Sequence, residues 1–96
     1  MTVRLDPLAE ADLDQVPRPH FAQLRRALAA LDGDRGGGPD VTPLRGLDPW
    51  RVLAVEGHWI VFRPLRDGDC YVGRIVTRRE LARIVQEGPG RLSNDV

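Results

Sequence analysis

The chain has 96 residues, which is the size of one small domain and too short for two separate cores. We therefore expect one domain over residues 1–96. Fourteen basic and fourteen acidic residues give zero net charge, which excludes bulk attraction to nucleic acid but not a local basic patch. The single cysteine, Cys70, excludes an internal disulfide and a cysteine metal cluster. No apolar run approaches about 18 residues, and the acidic N-terminus lacks a signal-peptide pattern, so we expect a cytoplasmic protein without membrane contact.

The N-terminal part of the chain predicts a short strand followed by a helical hairpin. Val3 and Leu5 alternate with polar residues, as in a strand. Asp6 followed by Pro7 indicates a helix start, with Asp6 as the N-cap. Two apolar stripes at helical spacing follow, separated by the sequence PRPH; they are Ala9, Leu13 and Val16, and then Phe21, Leu24, Leu28 and Leu31.

The segment GDRGGGPDVTP, residues 33–43, contains four glycines and two prolines. No helical pattern follows it, as a phosphate-binding glycine loop would require. We predict a flexible connection here.

Three strand candidates fill the second half of the chain, at residues 50–56, 58–64 and 70–76. They are rich in β-branched and aromatic residues. The sequences EGH and RDGD between them are typical of hairpin turns, so the three strands are predicted to form an antiparallel meander.

The last element is predicted to be a short helix beginning at Thr77. Thr77 and Glu80 have the spacing of a capping box, and Gly88 ends the pattern. We expect a disordered tail over residues 88–96. An apolar stripe would anchor the helix through Leu81, Ile84 and Val85. The fold class is therefore α+β, with an N-terminal strand, a helical hairpin, a three-stranded meander and a C-terminal helix.

Positive charge is concentrated in the second half. Residues 44–83 hold eight arginines and five acidic residues, a net of +3, which makes this half the better candidate for meeting an anion. The alternative to an anion site is that the charged residues are simply scattered over the surface. Strand alternation places Arg51 with Leu53 and Val55, Arg63 with Trp59 and Val61, and Arg74 with Val72 and Val76. Such arginines either hold a phosphate or pair with a carboxylate.

Arg78 and Arg79 lie in the first turn of the predicted last helix, where cations oppose the helix dipole. Helix amides and guanidinium groups together favour a bound phosphate. The alternative is that Glu80, with Asp67 or Asp69, neutralises the pair.

Histidine chemistry offers one further candidate. His58, which follows a turn, is either solvated or available for proton transfer. His20 has no assigned role. Two histidines and one cysteine at these spacings make no metal site, and we expect no cofactor.

Two motifs, PLRGLDPWRVLAVEGHWIVFRPL and YVGRIVTRRE, resemble the RelE/ParE toxin superfamily. The resemblance covers about residues 3–85 and includes the predicted order of elements. The residues that match the motifs of the family are Leu44-Arg45-Gly46, Trp50-Arg51, the sequence GHWIVF from Gly57, and Thr77-Arg78-Arg79-Glu80.

The resemblance implies a toxin of a type II toxin–antitoxin system, held in a complex with its antitoxin. RelE-type members are ribosome-dependent mRNA endonucleases in which a 2′-hydroxyl attacks the adjacent phosphate without a metal, and they inhibit translation. ParE-type members lack this catalytic set and inhibit DNA gyrase. A third alternative is a member without toxicity that serves mainly as an antitoxin-binding partner.

The resemblance also assigns site residues. It implies Arg79 and Arg51 as catalytic, with His58 as the available proton-transfer group. Arg78, Arg45 and Arg74 are the further candidates for phosphate binding. The chain departs from the nuclease pattern at three positions: Leu53 and Trp59 replace basic residues, and Val85 lies near the position of a catalytic tyrosine.

Overall fold

The computed structural model describes residues 3–34, 41–44, 49–65 and 69–87, and these form an α+β fold. No helix within these ranges has the length and apolar content needed to cross a membrane. The elements in chain order are β1 Val3–Leu5, α1 Pro7–Asp14, α2 Arg18–Asp34, β2 Val41–Pro43, β3 Arg51–Val55, β4 His58–Pro64, β5 Cys70–Thr77 and α3 Arg78–Glu87.

The strands form one mixed sheet in the order β1-β5-β4-β3-β2. The antiparallel meander β3-β4-β5 is confirmed, and β1 pairs in parallel with the first part of β5. A parallel pair requires a long crossover, and the helices and the meander supply it here. The predicted order of strand, two helices, meander and final helix is confirmed.

The segment predicted as a loop, residues 33–43, is shorter than expected at both ends. Helix α2 continues to Asp34, and residues 41–43 form β2, which pairs with the first half of β3. A three-residue strand is too short to show alternation. Its proline is tolerated because β2 lies at the sheet edge, where a missing N–H breaks no ladder. Residues 35–40 and the predicted tail, 88–96, lie outside the described residues.

Helix α1 is shorter than its predicted apolar stripe. It ends at Asp14, and Gln15 is the C-cap, so Val16 lies in the link to α2. Pro17 disfavours helical geometry for the residue before it, which accounts for the early end. Val16 nevertheless packs against the core.

The sheet separates two hydrophobic clusters. On one face, which we call the α1–α2 cluster, the helices α1 and α2 pack on the strands through Ala9, Leu13, Leu24, Leu28, Ile60, Phe62, Cys70, Val72 and Ile75. On the opposite face is the α3 cluster, formed by Leu44, Trp50, Val52, Val61, Val76 and Ile84. Apolar side chains alternate between these clusters along β4, so both faces of this central strand are buried.

A β-bulge at Gly73 changes the face of the sheet on which the side chains of β5 lie before and after it. The register of β4 against β5 shifts after Val61, which pairs with Arg74, and Gly73 is the extra residue. Val72 consequently faces the α1–α2 cluster, whereas Val76 faces the α3 cluster. The prediction that Arg74 shares a face with both valines was therefore wrong, because one inserted residue reverses the alternation.

Asp6 joins the start of α1 to β5, and its predicted role as N-cap is confirmed. Its carboxylate accepts the Leu8 N–H at 2.9 Å and the Tyr71 hydroxyl, and its own N–H donates to the Val72 carbonyl at 2.9 Å. Asp6 is completely buried. A buried carboxylate is stable only when hydrogen bonds replace its lost hydration, and Asp6 meets this condition.

We expect Asp6→Ala to lower the free energy of unfolding by about 2–4 kcal/mol, because it removes the helix cap and leaves the Tyr71 hydroxyl without this acceptor. Tyr71→Phe, the matched control, should cost only about 1–2 kcal/mol, since the cap remains. Urea unfolding followed by circular dichroism measures both values. A loss below about 0.5 kcal/mol for Asp6→Ala would contradict this account.

Candidate anion-binding site

The junction between β5 and α3 is defined by the predicted capping box, which is confirmed. Thr77 donates to Glu80 Oε1 from its backbone N–H at 3.2 Å and from its hydroxyl at 3.1 Å. The Glu80 N–H donates in return to Thr77 Oγ1 at 3.4 Å. The strand therefore passes directly into the helix, and Arg78 and Arg79 form its first turn with exposed side chains.

The alternative, in which neighbouring acids neutralise Arg78 and Arg79, finds no ion pair to these two arginines among the described residues. Glu80 is directed to Thr77 and Arg74, and Asp69 pairs with Arg4 at 3.5 Å. Asp67 lies outside the described residues. Neither arginine forms an ion pair within the described ranges, so two guanidinium charges and the positive end of the helix dipole lie together.

His58 lies at the same end of the sheet. It is opposite Thr77 in the ladder, directly after a two-residue turn in which Glu56 and Gly57 have φ of 49° and 78°. Its Nδ1 is 3.2 Å from the Glu56 carbonyl oxygen. Because a carbonyl only accepts, Nδ1 carries the proton in this hydrogen bond, and Nε2 of the neutral ring is available to accept one. The His20 ring lies 5.6 Å from the His58 ring.

A shallow cavity of about 180 Å³ adjoins His58 between α1 and the β5–α3 junction. Its lining consists of Asp12, Gln15, Val16, His58, Ile75, Thr77 and Glu80. The imidazole, the helix cap and two carboxylates thus meet around one depression beside the first turn of α3.

Arg74 links this end of the sheet to α1. Its Nε and Nη2 donate to Asp12 at 2.7 and 3.0 Å, and its Nη2 lies 3.9 Å from Glu80 Oε2. The hydrogen bond with Asp12 raises the pKa of Arg74 above its ordinary value. Asp12 Oδ2 also accepts the Ile75 N–H at 3.0 Å. Ile75 lies past the part of β5 that pairs with β1, so Asp12 takes the place of a strand partner there. Nε and Nη2 of Arg74 are therefore directed at carboxylates of the protein.

Arg51 lies at the opposite end of the β3–β4 hairpin. It pairs with Phe62, four residues along β4 from His58, which corresponds to about 13 Å. Its strand neighbours Leu53 and Val55 pack on the α1–α2 cluster, as strand alternation predicts. The structure therefore brings His58 and the start of α3 to one end of the sheet and places Arg51 at the other. Arg45 lies outside the described residues.

Arg63 lies on the α3 side of the sheet, with Trp59 and Val61 as predicted. Its guanidinium is 5.5 Å from the Trp50 ring centre and 5.4 Å from that of Tyr71. Cation–π contacts of this kind stabilise packing across strands. We assign Arg63 this structural role.

Asp12 is the residue of this region that the sequence patterns did not single out. Its position in α1, three residues after Ala9 and four before Val16, puts a carboxylate beside the buried stripe. A carboxylate at such a position indicates that a cation or another hydrogen-bond donor lies near it. The sequence does not identify that donor as Arg74, which is 62 positions away.

Comparisons with known proteins give matches at the level of structure only. No protein-family model matches the sequence, and no curated protein matches it. A chain of the RelB–RelE antitoxin–toxin complex from Methanococcus jannaschii is similar, with 12% identity, TM-score 0.69, and coverage of 83% of this chain and 95% of that one. A chain of the toxin–antitoxin complex RelBE2 from Mycobacterium tuberculosis has 20% identity, TM-score 0.69, and coverage of 80% and 96%.

A mutant of the toxin RelE from E. coli, solved in the free state, has 12% identity and a TM-score of 0.70 over 90% of this chain and 94% of that one. These similarities extend over nearly the full length of each solved chain. They confirm the fold expected from the sequence motifs: the chain has the fold of the RelE toxins.

Proposed function

We propose that this chain is the toxin of a type II toxin–antitoxin system that cleaves mRNA on the ribosome and so inhibits translation. The observation that carries the proposal is the pair Arg78–Arg79 at the start of α3, which the described acidic residues leave without an ion pair. The RelE-type fold supports it. Helix stability alone disfavours two cations at this position, so a phosphate is the ligand that best accounts for them.

The proposed chemistry is transfer of a phosphate ester within the RNA. The 2′-oxygen forms a bond to the adjacent phosphorus while the bond to the 5′-oxygen breaks, giving a cyclic phosphate and a free 5′-hydroxyl. Negative charge develops on the phosphoryl oxygens, and the guanidinium groups of Arg78 and Arg79 stabilise it. His58 Nε2 accepts the 2′-hydroxyl proton, and water supplies the proton to the leaving oxygen.

Arg51 and Arg45 have a different place in this proposal. The backbone of Arg51 is displaced from that of His58 by about 13 Å along the strand direction, at the other end of the β3–β4 hairpin. We propose that it contacts the RNA at a neighbouring position, and Arg45 remains a candidate for phosphate binding. Arg74 has carboxylate partners and receives a different role below.

The proposed protein partner is a cognate antitoxin. Two of the similar structures are antitoxin–toxin complexes. Two apolar surfaces among the described residues are open to such a partner: Val85 on α3 is 44% exposed, and a groove of about 490 Å³ at the α1–α2 link contains Val16, Phe21 and Ala22 between Asp14 and Arg18. An amphipathic or basic antitoxin segment suits these surfaces and the acidic residues of α1.

A second candidate function is inhibition of DNA gyrase without nuclease activity. Val85 stands near the position of the catalytic tyrosine in the nuclease pattern, and Arg51 is separated from Arg79. Both observations favour a binding toxin over an enzyme. A non-toxic partner that only binds antitoxin is the third candidate, for the same reasons.

Expression without antitoxin tests these alternatives. We expect growth arrest with mRNA cut within translated codons, and we expect Arg78→Ala together with Arg79→Ala to abolish both. The same double variant should melt about 1–3 °C higher, because it removes two cations from a helix N-terminus. Arg26→Ala, which removes an exposed arginine from α2, is the matched control and should retain the arrest.

Mapping of RNA 5′ ends and a supercoiling assay distinguish the outcomes. Intact mRNA with arrested replication and inhibited gyrase would replace the nuclease proposal with the gyrase one. Normal growth of cells that accumulate the folded wild-type protein would contradict both toxin proposals.

His58→Asn tests the proton-transfer role. Asparagine retains a donor for the Glu56 carbonyl but lacks an equivalent of Nε2, so the turn should persist while the cleavage rate falls by about 10²–10⁴-fold. Cleavage on purified ribosomes measures the rate, with His20→Asn as the control. A loss below about threefold for His58→Asn would remove His58 from the mechanism.

A further inference from the structure

We infer that Arg74 is a positioning residue that holds the first turn of α3, and with it Arg78 and Arg79, in place against α1. The functional part of this inference rests on the proposed role of those two arginines. Its structural part concerns how the β5–α3 junction is fixed and stands independently of that role.

The contact with α1 is the strong half of the link. Arg74 and Asp12 meet through two parallel N–H···O bonds, the geometry in which a guanidinium and a carboxylate interact best. Their side chains are only 21% and 16% exposed. Salt and water therefore screen this pair less than a surface ion pair, and losing one partner leaves a partly buried charge.

The contact with α3 is the weaker half. Glu80 uses Oε1 for the helix cap and presents Oε2 to Arg74 at 3.9 Å. Arg78 and Arg79 lie between Thr77 and Glu80 in the chain. Both ends of the segment that carries them are thus tied, one through the strand and one through Arg74.

Helix α3 requires a contact of this kind to stabilise its first turn. It has ten residues, below the length at which an isolated helix is stable, and Ile84 is its one buried side chain among the described residues. The two cations in its first turn weaken it further. Fraying would begin at this turn, and Arg74 opposes it by holding Glu80.

Arginine is the residue type that this geometry requires. One guanidinium plane faces Asp12 with Nε and Nη2, and the same Nη2 approaches Glu80. A lysine has a single nitrogen on a flexible stem, so it would satisfy one carboxylate well but not hold both groups in a fixed direction.

Hydrogen exchange of the free protein tests the structural part. For Arg74→Met we expect the amides of residues 80–82 to exchange about two- to fivefold faster than in the wild type, relative to the core amides of β4, because the Arg74–Glu80 ion pair is long and Glu80 is half exposed. Arg74→Lys should give an intermediate increase. Arg63→Met is the matched control, because Arg63 is half-buried in the neighbouring strand and packs on Trp50 and Tyr71. It should leave the 80–82 amides at the wild-type rate.

Cleavage of mRNA on ribosomes tests the functional part with the same variants. Under conditions where each protein is folded, Arg74→Met should cleave at least about tenfold more slowly than the wild type, and Arg74→Lys should recover part of that loss. Glu80→Gln, which keeps the capping spacing but not the charge, should show a smaller decrease.

The two measurements separate failure of this inference from failure of the proposed function. Unchanged exchange at 80–82 in Arg74→Met, or an equal change in Arg63→Met, overturns the positioning role. Cleavage by Arg74→Met at the wild-type rate overturns the functional part of the inference. Absence of cleavage by the wild type, with the expected exchange pattern, overturns the proposed function and supports the structural tie.

Discussion

The Asp12 carboxylate makes the contacts on which the end of the molecule with the candidate site depends. It accepts two hydrogen bonds from Arg74 and one from the Ile75 N–H. Ile75 lies on the edge of β5 that pairs with β1, past the point where β1 ends. The carboxylate therefore joins α1 to a strand edge that would otherwise expose an unpaired donor. Through Arg74 the same carboxylate is connected to Glu80, and so to the turn that carries Arg78 and Arg79.

The first turn of α3 carries two arginines without an ion pair among the described residues, next to one acid, Glu80. The described acids near the helix start are used for capping, for Arg74 and for Arg4. What remains is a cationic first turn with His58 across the ladder at the same sheet end. An anion would relieve the unfavourable helix electrostatics, and this is the reason that we propose a phosphate ester as the substrate class for Arg78, Arg79 and His58.

Local chemistry made much of the fold predictable. The Asp6–Pro7 start and the Thr77–Glu80 box are determined by adjacent residues, and both are confirmed. Alternation identified the meander but failed at Gly73, because a bulge is set by pairing with another strand. The separation of Arg51 from His58 and the pairing of Asp12 with Arg74 also depend on contacts between distant segments, which no local pattern contains.

We propose that the first turn of α3 binds an RNA phosphate. The most direct measurement is an NMR titration of the free protein with a trinucleotide whose 2′-hydroxyls are methylated, so that the attacking group is blocked. We expect the largest shifts on the guanidinium Nε–H signals of Arg78 and Arg79 and on the amides of residues 78–80. Shifts confined to another surface, or shifts that persist undiminished when both arginines are alanine, would contradict it.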